Sequence, residues 1–320
     1  MDASMVGADG SRAPSASSDF LEHIRQRNTE RILAAPAQLP LWPEPMRGVP
    51  NGVLRSALFG AIKRGKRKYL QREPIASVEG VNIVYTGPRL DQSDLDVWEG
   101  ALHLAQGITL GSRIEFTEKG FLRLIGRGGL RGESIGKSDR EWLKNVLARL
   151  SATTVEIKQG PYAYGGSLVE EYFRDERSGR HILILNPRMK AIFGRDGWTQ
   201  VDWRIRHALR GHPLAQWLHG FYSTHAAPFP IKAETLHKLC GSETGESAMT
   251  DAERHKAILD WRDKSLIPAL RALKDTCNEV AQAFAWEISS SGLVSVSRTP
   301  TKAQQKHLRT KAAKLRVGIR

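Results

Sequence analysis

One order of local patterns occurs twice along this chain. The first occurrence begins with a helical periodicity over Asp94–Gln106, then a short apolar piece at Ile114–Phe116 and a second helical stretch at Glu118–Ile125. It continues with an amphipathic third helix at Ser138–Leu150 and a strand pair around Thr153–Ile157 and Leu168–Phe173. The second occurrence runs through Pro213–His225, Phe229–Lys232, Glu234–Cys240, a helical stretch near Trp261–Cys277 and a hairpin near Phe284–Val296. Helices closed off by a β-hairpin make a winged helix, which mostly reads DNA by laying its third helix in the major groove. The expected fold class is therefore α+β, with two tandem winged-helix domains, a disordered N-terminal leader and a basic C-terminal tail.

A chain of 320 residues with 40% hydrophobic content is long enough for two separate cores. Residues 1 to about 20 are rich in Ser, Ala, Gly and Asp and read as disordered. A brief helical pattern spans Asp19–Leu33, and Pro36, Pro40, Pro43, Pro45 and Pro50 then break regular structure. The boundaries placed on these grounds are 1–46 for leader and linker, 47–178 for the first domain, 179–298 for the second and 299–320 for the tail. Arg180–Pro187 reads as a strand entering the second domain.

A net charge of +14 implies an anionic partner, and nucleic acid is the commonest for a chain of this kind. The surplus is concentrated in Lys63–Lys68, in the helices below, and in Arg298–Arg320, which contains no acidic residue. Cys240 and Cys277 sit in apolar helical surroundings, as expected of reduced, buried thiols. The N-terminus lacks a secretory pattern, and no stretch approaches the ~18 apolar residues of a membrane span, so a cytoplasmic, plasmid- or nucleoid-associated location is expected, with no membrane partner.

In the first third helix, Trp142, Leu143, Val146, Leu147 and Leu150 form the inward stripe, leaving Arg140, Lys144, Asn145 and Arg149 outside. Ser138 is placed to cap the helix, whose free amides together with Lys137 suit a DNA phosphate. In the second copy, Trp261, Leu266, Ala269, Leu270 and Leu273 face inward, and Arg262, Lys264, Arg271 and Lys274 face outward. Pro268 demands a kink, or a restart with Pro268 in the first turn. Upstream, Thr250 and Glu253 have capping-box spacing, and Arg254, His255 and Lys256 extend the basic surface. Lys158, Tyr162 and Tyr164, around the loop Gly160–Gly166, are the candidates for the first wing. From sequence alone, the competing account of each basic face is an ordinary solvated helix surface.

Gly136-Lys137-Ser138 matches the end of a phosphate-binding P-loop, but Arg131 stands where the first glycine is required and a helix precedes the loop. A rolling-circle nicking enzyme would need a His-hydrophobe-His pair near a tyrosine, and the ten histidines include none. His212, His219 and His225 lack convincing ligand spacing. No enzymatic activity, cofactor or metal is expected.

The chain resembles the TrfA-type plasmid replication initiators, relatives of initiators that bind repeated origin sequences, called iterons, through two winged helices. The residues that carry this are Leu41–Arg47 (LWPEPMR), Arg55–Phe59 (RSALF), Val84–Gly87 (VYTG), Leu147–Thr153 (LARLSAT), and the run from Phe221 through Pro228-Phe229-Pro230 to Leu239–Ser242. Trp261–Lys274 is similar to the recognition-helix segment of the wider iteron-binding group. The resemblance covers about Gln38–Arg298. Departures are an insertion-like stretch, Glu243–Lys256, and Gln216-Trp217 where a pair of arginines is expected.

The resemblance implies an initiator that binds double-stranded origin DNA and opens a neighbouring AT-rich region. It also implies recruitment of the host initiator and replicative helicase, and copy control through a monomer–dimer equilibrium. Gln38-Leu39-Pro40-Leu41-Trp42 is similar to the peptide by which replication proteins dock on the bacterial sliding clamp, with Gln38, Leu39, Leu41 and Trp42 as the contacting residues. The sequence leaves open that Leu41 and Trp42 pack instead on the neighbouring domain. A transcriptional repressor of the same fold is the remaining rival, and it would not need a clamp peptide.

Overall fold

Helix Gln92–Leu104 is built to be enclosed. Asp91 caps it by accepting the backbone N–H groups of Ser93 and Asp94, and the Asp94 carboxylate in turn accepts from Asp91 N–H. Leu95, Val97, Trp98, Ala101 and Leu102 are at most 2% exposed. A Cβ at Gly100 would sit 2.6 Å from Ile125, so only glycine lets the following helix approach this closely.

The computed structural model describes residues 38–62, 65, 67–128, 134–160, 162–175, 177–194 and 197–317, together with His23; for 159, 162, 311 and 313–317 it describes the backbone only. The expected leader, and the helical pattern at Asp19–Leu33 apart from His23, lie outside these residues. Gln38–Arg320 forms one compact unit. It opens with β1 (Met46–Pro50), the single turn α1 (Asn51–Leu54), β2 (Phe59–Gly60), β3 (Tyr69–Ile75), β4 (Val81–Pro88) and β5 (Leu90–Asp91). The first repeat follows as α2 (Gln92–Leu104), β6 (Arg113–Thr117), α3 (Glu118–Leu124) and α4 (Lys137–Ser151). It ends in β7 (Thr154–Gln159), β8 (Tyr162–Gly166), β9 (Glu171–Asp175) and β10 (Arg180–Ile184). A 3-10 stretch at Pro187–Phe193, β11 (Trp198–Asp202) and α5 (Trp203–Ala208) lead to the second repeat. That repeat comprises α6 (Pro213–Ser223), β12 (Ile231–Lys232), α7 (Ala233–Leu239), α8 (Asp251–Trp261), α9 (Ile267–Glu279), β13 (Phe284–Ile288) and β14 (Leu293–Arg298), and α10 (Lys302–Val317) closes the chain.

The second repeat has its strands in the order β12-β14-β13, with Phe284 opposite Arg298 and Ile231 opposite Val294. Its core joins Leu218, Phe221 and Tyr222 of α6 to Leu236, Trp261, Leu266, Leu270, Leu273 and Val294. The first repeat has the same order, β6-β10-β9, with Ile182 opposite both Glu115 and Phe173. A first strand lying beside the last, behind three helices, is the winged-helix arrangement in both cases.

Two expectations are corrected here. The hairpin after α4 is not the first wing: β7 and β8 join a separate four-stranded sheet, β3-β4-β7-β8, in which Ile83 pairs Ile157. The first wing is β9–β10, whose turn closes with Gly179 at φ 66°. The boundary at 178/179 therefore cuts through that wing, and Arg180–Ile184 belongs to the first repeat. The prolines of the linker do not prevent strand formation either: Met46–Pro50 pairs antiparallel with Trp198–Asp202, Pro50 standing at the strand's end, where its missing N–H costs least.

The two repeats meet on α2. The Arg206 side chain of α5 is wholly buried, with Nε 2.8 Å from Asp96 and 3.1 Å from Glu99; its other nitrogens donate to the side chain and backbone carbonyl of Gln92. Two carboxylates thus share one guanidinium, and burial pushes the Glu99 carboxyl up to about 7. Among the described residues no helix is long and apolar enough to cross a membrane.

Removing one partner of this buried cluster leaves charge uncompensated, so Arg206→Ala is expected to destabilise the fold by about 3–5 kcal/mol in denaturant unfolding. Glu99 has a folded value above its ordinary 4.5, so its contribution to stability is complete below that pH and lost as pH rises through about 7. The stability of Glu99→Gln relative to the parent protein should therefore rise between those pH values, by up to about 3 kcal/mol.

Candidate nucleic-acid interface

Both third helices owe their position to an apolar stripe. In α4, Leu143, Val146, Leu147 and Leu150 are fully buried, which fixes the opposite face outward. Lys137, Ser138, Arg140 and Asn145 are exposed and Lys144 is half-buried. Arg140 lies 3.8 Å from Glu118 and Lys144 lies 3.9 Å from Glu141, loose pairs that a phosphate can displace at little cost.

Three details differ from the sequence reading of this helix. Ser138 is not the cap: the N-cap is Gly136, whose N–H is accepted by the Asp139 carboxylate at 3.2 Å, and Ser138 lies inside the first turn. Trp142 does not complete the apolar stripe, because the Arg127 guanidinium stacks 3.4 Å from its ring centroid and leaves it half-exposed. Arg149 points away from the outer face, donating to buried Asp94 at 2.7 Å beside Arg67, which reaches the same carboxylate at 2.9 Å.

The second reading helix is longer than its apolar pattern suggests. Helix α8 starts on a capping box, Thr250 accepting from Glu253 N–H while the Glu253 carboxylate accepts from Thr250 N–H. It runs into one wide turn, Arg262–Leu266, in which Ile267 N–H reaches back five residues to the Arg262 carbonyl. This turn makes room for Pro268, which becomes the second residue of α9, so the helical rod is continuous from Asp251 to Glu279. The insertion-like stretch therefore supplies the first six residues of this rod, Asp251–Lys256. Arg254, Lys256, Lys264 and Arg271 are exposed and Arg262 is half-buried. Arg262 is held by Asp263 at 2.7 and 3.1 Å, and Lys264 lies 3.0 Å from Asp260.

Two open clefts share Gly65 and Arg67. One also contains Ser138, Trp142, Asn145 and Arg149 of α4; the other contains Trp261, Lys264 and Pro268 beside Arg89. Both helices therefore border the same segment between β2 and β3, α4 with Ser138 and Asn145 and the rod with Lys264. Lys63, Arg64 and Lys66 in that segment lie outside the described residues.

Lys158 is exposed on β7, away from the first wing, and Tyr164 is buried with its hydroxyl donating to the Ser167 carbonyl; the Tyr162 side chain lies outside the description. The wing itself carries residues that sequence reasoning missed. Arg177 and Arg180 are exposed on it, with Tyr172 37% and Phe173 52% exposed beside them. The signal was Asp175-Glu176-Arg177-Ser178-Gly179: the Asp175 carboxylate accepts from Arg177 N–H and from the Ser178 hydroxyl, which is turn chemistry.

Gln216 and Trp217 point inward, donating to the carbonyls of Arg206 and Ser56, so the absence of an arginine pair there removes nothing from the reading surface. Cys240 and Cys277 are free and buried. His219 is buried and driven down to about 3, and His225 to about 4, by burial foremost, so both are neutral at pH 7. Among the described residues no cluster of His, Cys, Asp or Glu could hold a metal ion.

The clamp-like peptide is docked on the body. Leu39 and Trp42 are 4% and 6% exposed, whereas Leu41 is 73% exposed. The Trp42 indole packs on Trp198, its ring centroid 5.8 Å away, and a Cβ at Gly48 would come within 2.4 Å of it. Trp42 N–H donates to the Gln106 side chain at 2.9 Å, and the indole N–H donates to His103 Nδ1 at 3.2 Å. The Gln106 amide converges on the same Nδ1, so that atom is an acceptor and the ring proton at Nε2 is donated to Glu44.

Comparison with known proteins follows the same lines. The TrfA protein family model matches residues 8–275. The plasmid replication initiator protein TrfA of Escherichia coli is 29% identical over 233 residues, which covers 70% of this chain and 59% of that protein. The chain thus matches well under two thirds of the length of this relative. Among solved structures, domains 2 and 3 of RctB align with TM-score 0.46 and 13% identity over 78% of this chain and 97% of that one. The Pi initiator protein in complex with iteron DNA aligns with TM-score 0.45 and 10% identity over 65% and 91%. With the family model spanning most of its length, from before the docked peptide into α9, the chain belongs to the TrfA protein family.

Proposed function

We propose that this protein is a plasmid replication initiator that binds directly repeated origin DNA through both winged helices, without hydrolysing a nucleotide. The observation that carries this reading is that two amphipathic helices, α4 and the Asp251–Glu279 rod, each leave a basic face exposed and border one shared segment, at Ser138 and Asn145 and at Lys264. Two reading helices held in fixed relation suit successive major-groove faces, about one helical turn apart. Arg140 and Lys144 would act in one groove, and Arg262, Lys264 and Arg271 in the other, with Arg254 and Lys256 at its margin. Lys137 and the exposed arginines of the first wing would hold phosphates and set register. Disengaging Arg262 and Lys264 from their exposed neighbouring aspartates costs little, and the phosphate or base edge replaces the lost partner.

The finer steps belong to the same proposal. Opening of an AT-rich region, recruitment of the host initiator and helicase, and a monomer–dimer control would follow DNA binding in the cell. The segment Gln38–Trp42 would dock on the host sliding clamp after leaving the body, because Leu39 and Trp42 cannot occupy two apolar pockets at once. Clamp affinity is then reduced by the fraction of molecules in which the segment is free.

Footprinting of the plasmid's own origin at near-physiological salt is expected to show a regularly spaced array of protected repeats. Lys264→Ala plus Arg271→Ala should weaken it on the order of tenfold to a hundredfold or more. Protection of a single promoter operator, with no array, would instead identify a repressor. In a direct titration against purified sliding clamp, Gly48→Ala and His103→Ala should each bind more tightly than the parent protein, and Trp42→Ala should lose binding; equal affinities for all four would exclude the docked-peptide reading.

A further inference from the structure

The second wing offers no free cation to a phosphate. Its tip is Ser289-Ser290-Ser291-Gly292, and the only cation on β13 or β14 is Arg298. That guanidinium is committed inward, donating to the His225 carbonyl at 3.1 Å and to the Gln304 side chain at 3.0 Å. Yet no acidic residue follows Glu287 in the chain, while Lys302, Lys306, Arg309, Lys311, Lys314, Arg316 and Arg320 do. Six of these seven cations, Lys302 to Arg316, are carried by the helix that continues directly from the wing.

That helix is not a loose tail. Thr301 caps it by accepting from Gln304 N–H, and the Gln304 amide donates to the Ser223 carbonyl at the end of α6, at 2.8 Å. Gln304, Gln305 and Leu308 are half-buried and form the seated face; Lys302, Lys306 and Arg309, at i, i+4 and i+7, form an exposed row. The row spans about 10 Å along the helix, a length over which duplex DNA presents several phosphates. Its charge has no carboxylate of its own helix to neutralise it, so the complementary surface is a dense array of negative charge.

We propose that α10 is a third DNA-contacting element, an arm that holds the phosphate backbone beside the second winged helix without reading sequence. It takes the place of the second wing, whose one cation, Arg298, is engaged inward. The seated face fixes where the row points, which distinguishes this arm from a flexible basic tail.

The test uses the full-length protein with Lys302→Ala, Lys306→Ala and Arg309→Ala combined; alanine keeps the helix, and all three side chains are exposed. Binding is titrated against salt on a duplex carrying the plasmid's own repeats and on a scrambled duplex of equal length. The slope of log K against log salt should become shallower by up to about 3 on both duplexes, with the ratio of the two affinities unchanged. The Lys302→Arg plus Lys306→Arg variant should keep the parent slope. Unchanged slopes, or a loss confined to the repeat duplex, would overturn the proposal. A parent protein that does not prefer its repeats, yet loses slope in the triple variant, would retain the arm and overturn the initiator reading instead.

Discussion

The guanidinium of Arg206 is where the two halves of this molecule are joined. It lies fully buried between Asp96 and Glu99 of α2, with Gln92 accepting one hydrogen bond from each of its terminal nitrogens. Such a cluster contributes little net stability against an apolar replacement, but loss of one partner leaves a buried charge uncompensated. Its value is directional: planar donors meeting fixed acceptors permit one relative setting of the two repeats, whereas an apolar seam of the same area would permit sliding. The proposed spanning of two grooves in fixed register would depend on that setting. The neighbouring pairs of Arg67 and Arg149 with Asp94 extend the same logic to α4, so the first reading helix is tied to the helix that carries the junction.

Much of this architecture was legible in the residues. The repeat of helix, strand, helix, helix and hairpin could be read because each apolar stripe has a single period and each cap has a local signature, as with Thr117 accepting from Gly120 N–H and Thr250 pairing with Glu253. The first wing could not be read in this way. After α4 the chain offers two successive hairpins of similar pattern, β7–β8 and β9–β10, and only pairing with β4 or with β6 decides which one is the wing. That choice is made by residues far apart in sequence, which local periodicity does not report.

The reading surface shows the same division. The outward faces of Lys137–Arg140 and Lys264–Arg271 follow from the buried stripes opposite them. Arg149 fits the helical pattern of an exposed cation equally well, yet it is drawn to Asp94, a carboxylate that the fold has sealed in. Trp142 fits the pattern of a core residue, yet it serves as a platform for Arg127. In both cases the deciding partner comes from another element. The peptide at Gln38–Trp42 was read as either a free ligand or a packed segment, and the hydrogen bonds from Trp42 to Gln106 and His103 decide for the packed state in the molecule by itself.

The pairing of Met46–Pro50 with Trp198–Asp202 has a consequence for how the chain is made. The strand leaves the ribosome before its partner, which emerges only after the whole first repeat has been synthesised. Closing so long a loop carries an entropic cost that no local contact offsets, so the first repeat forms its helices while one of its borders is still open. Newly made protein therefore passes through a stage with an unpaired strand edge next to Trp42, and it is vulnerable to aggregation and proteolysis until Asp202 arrives.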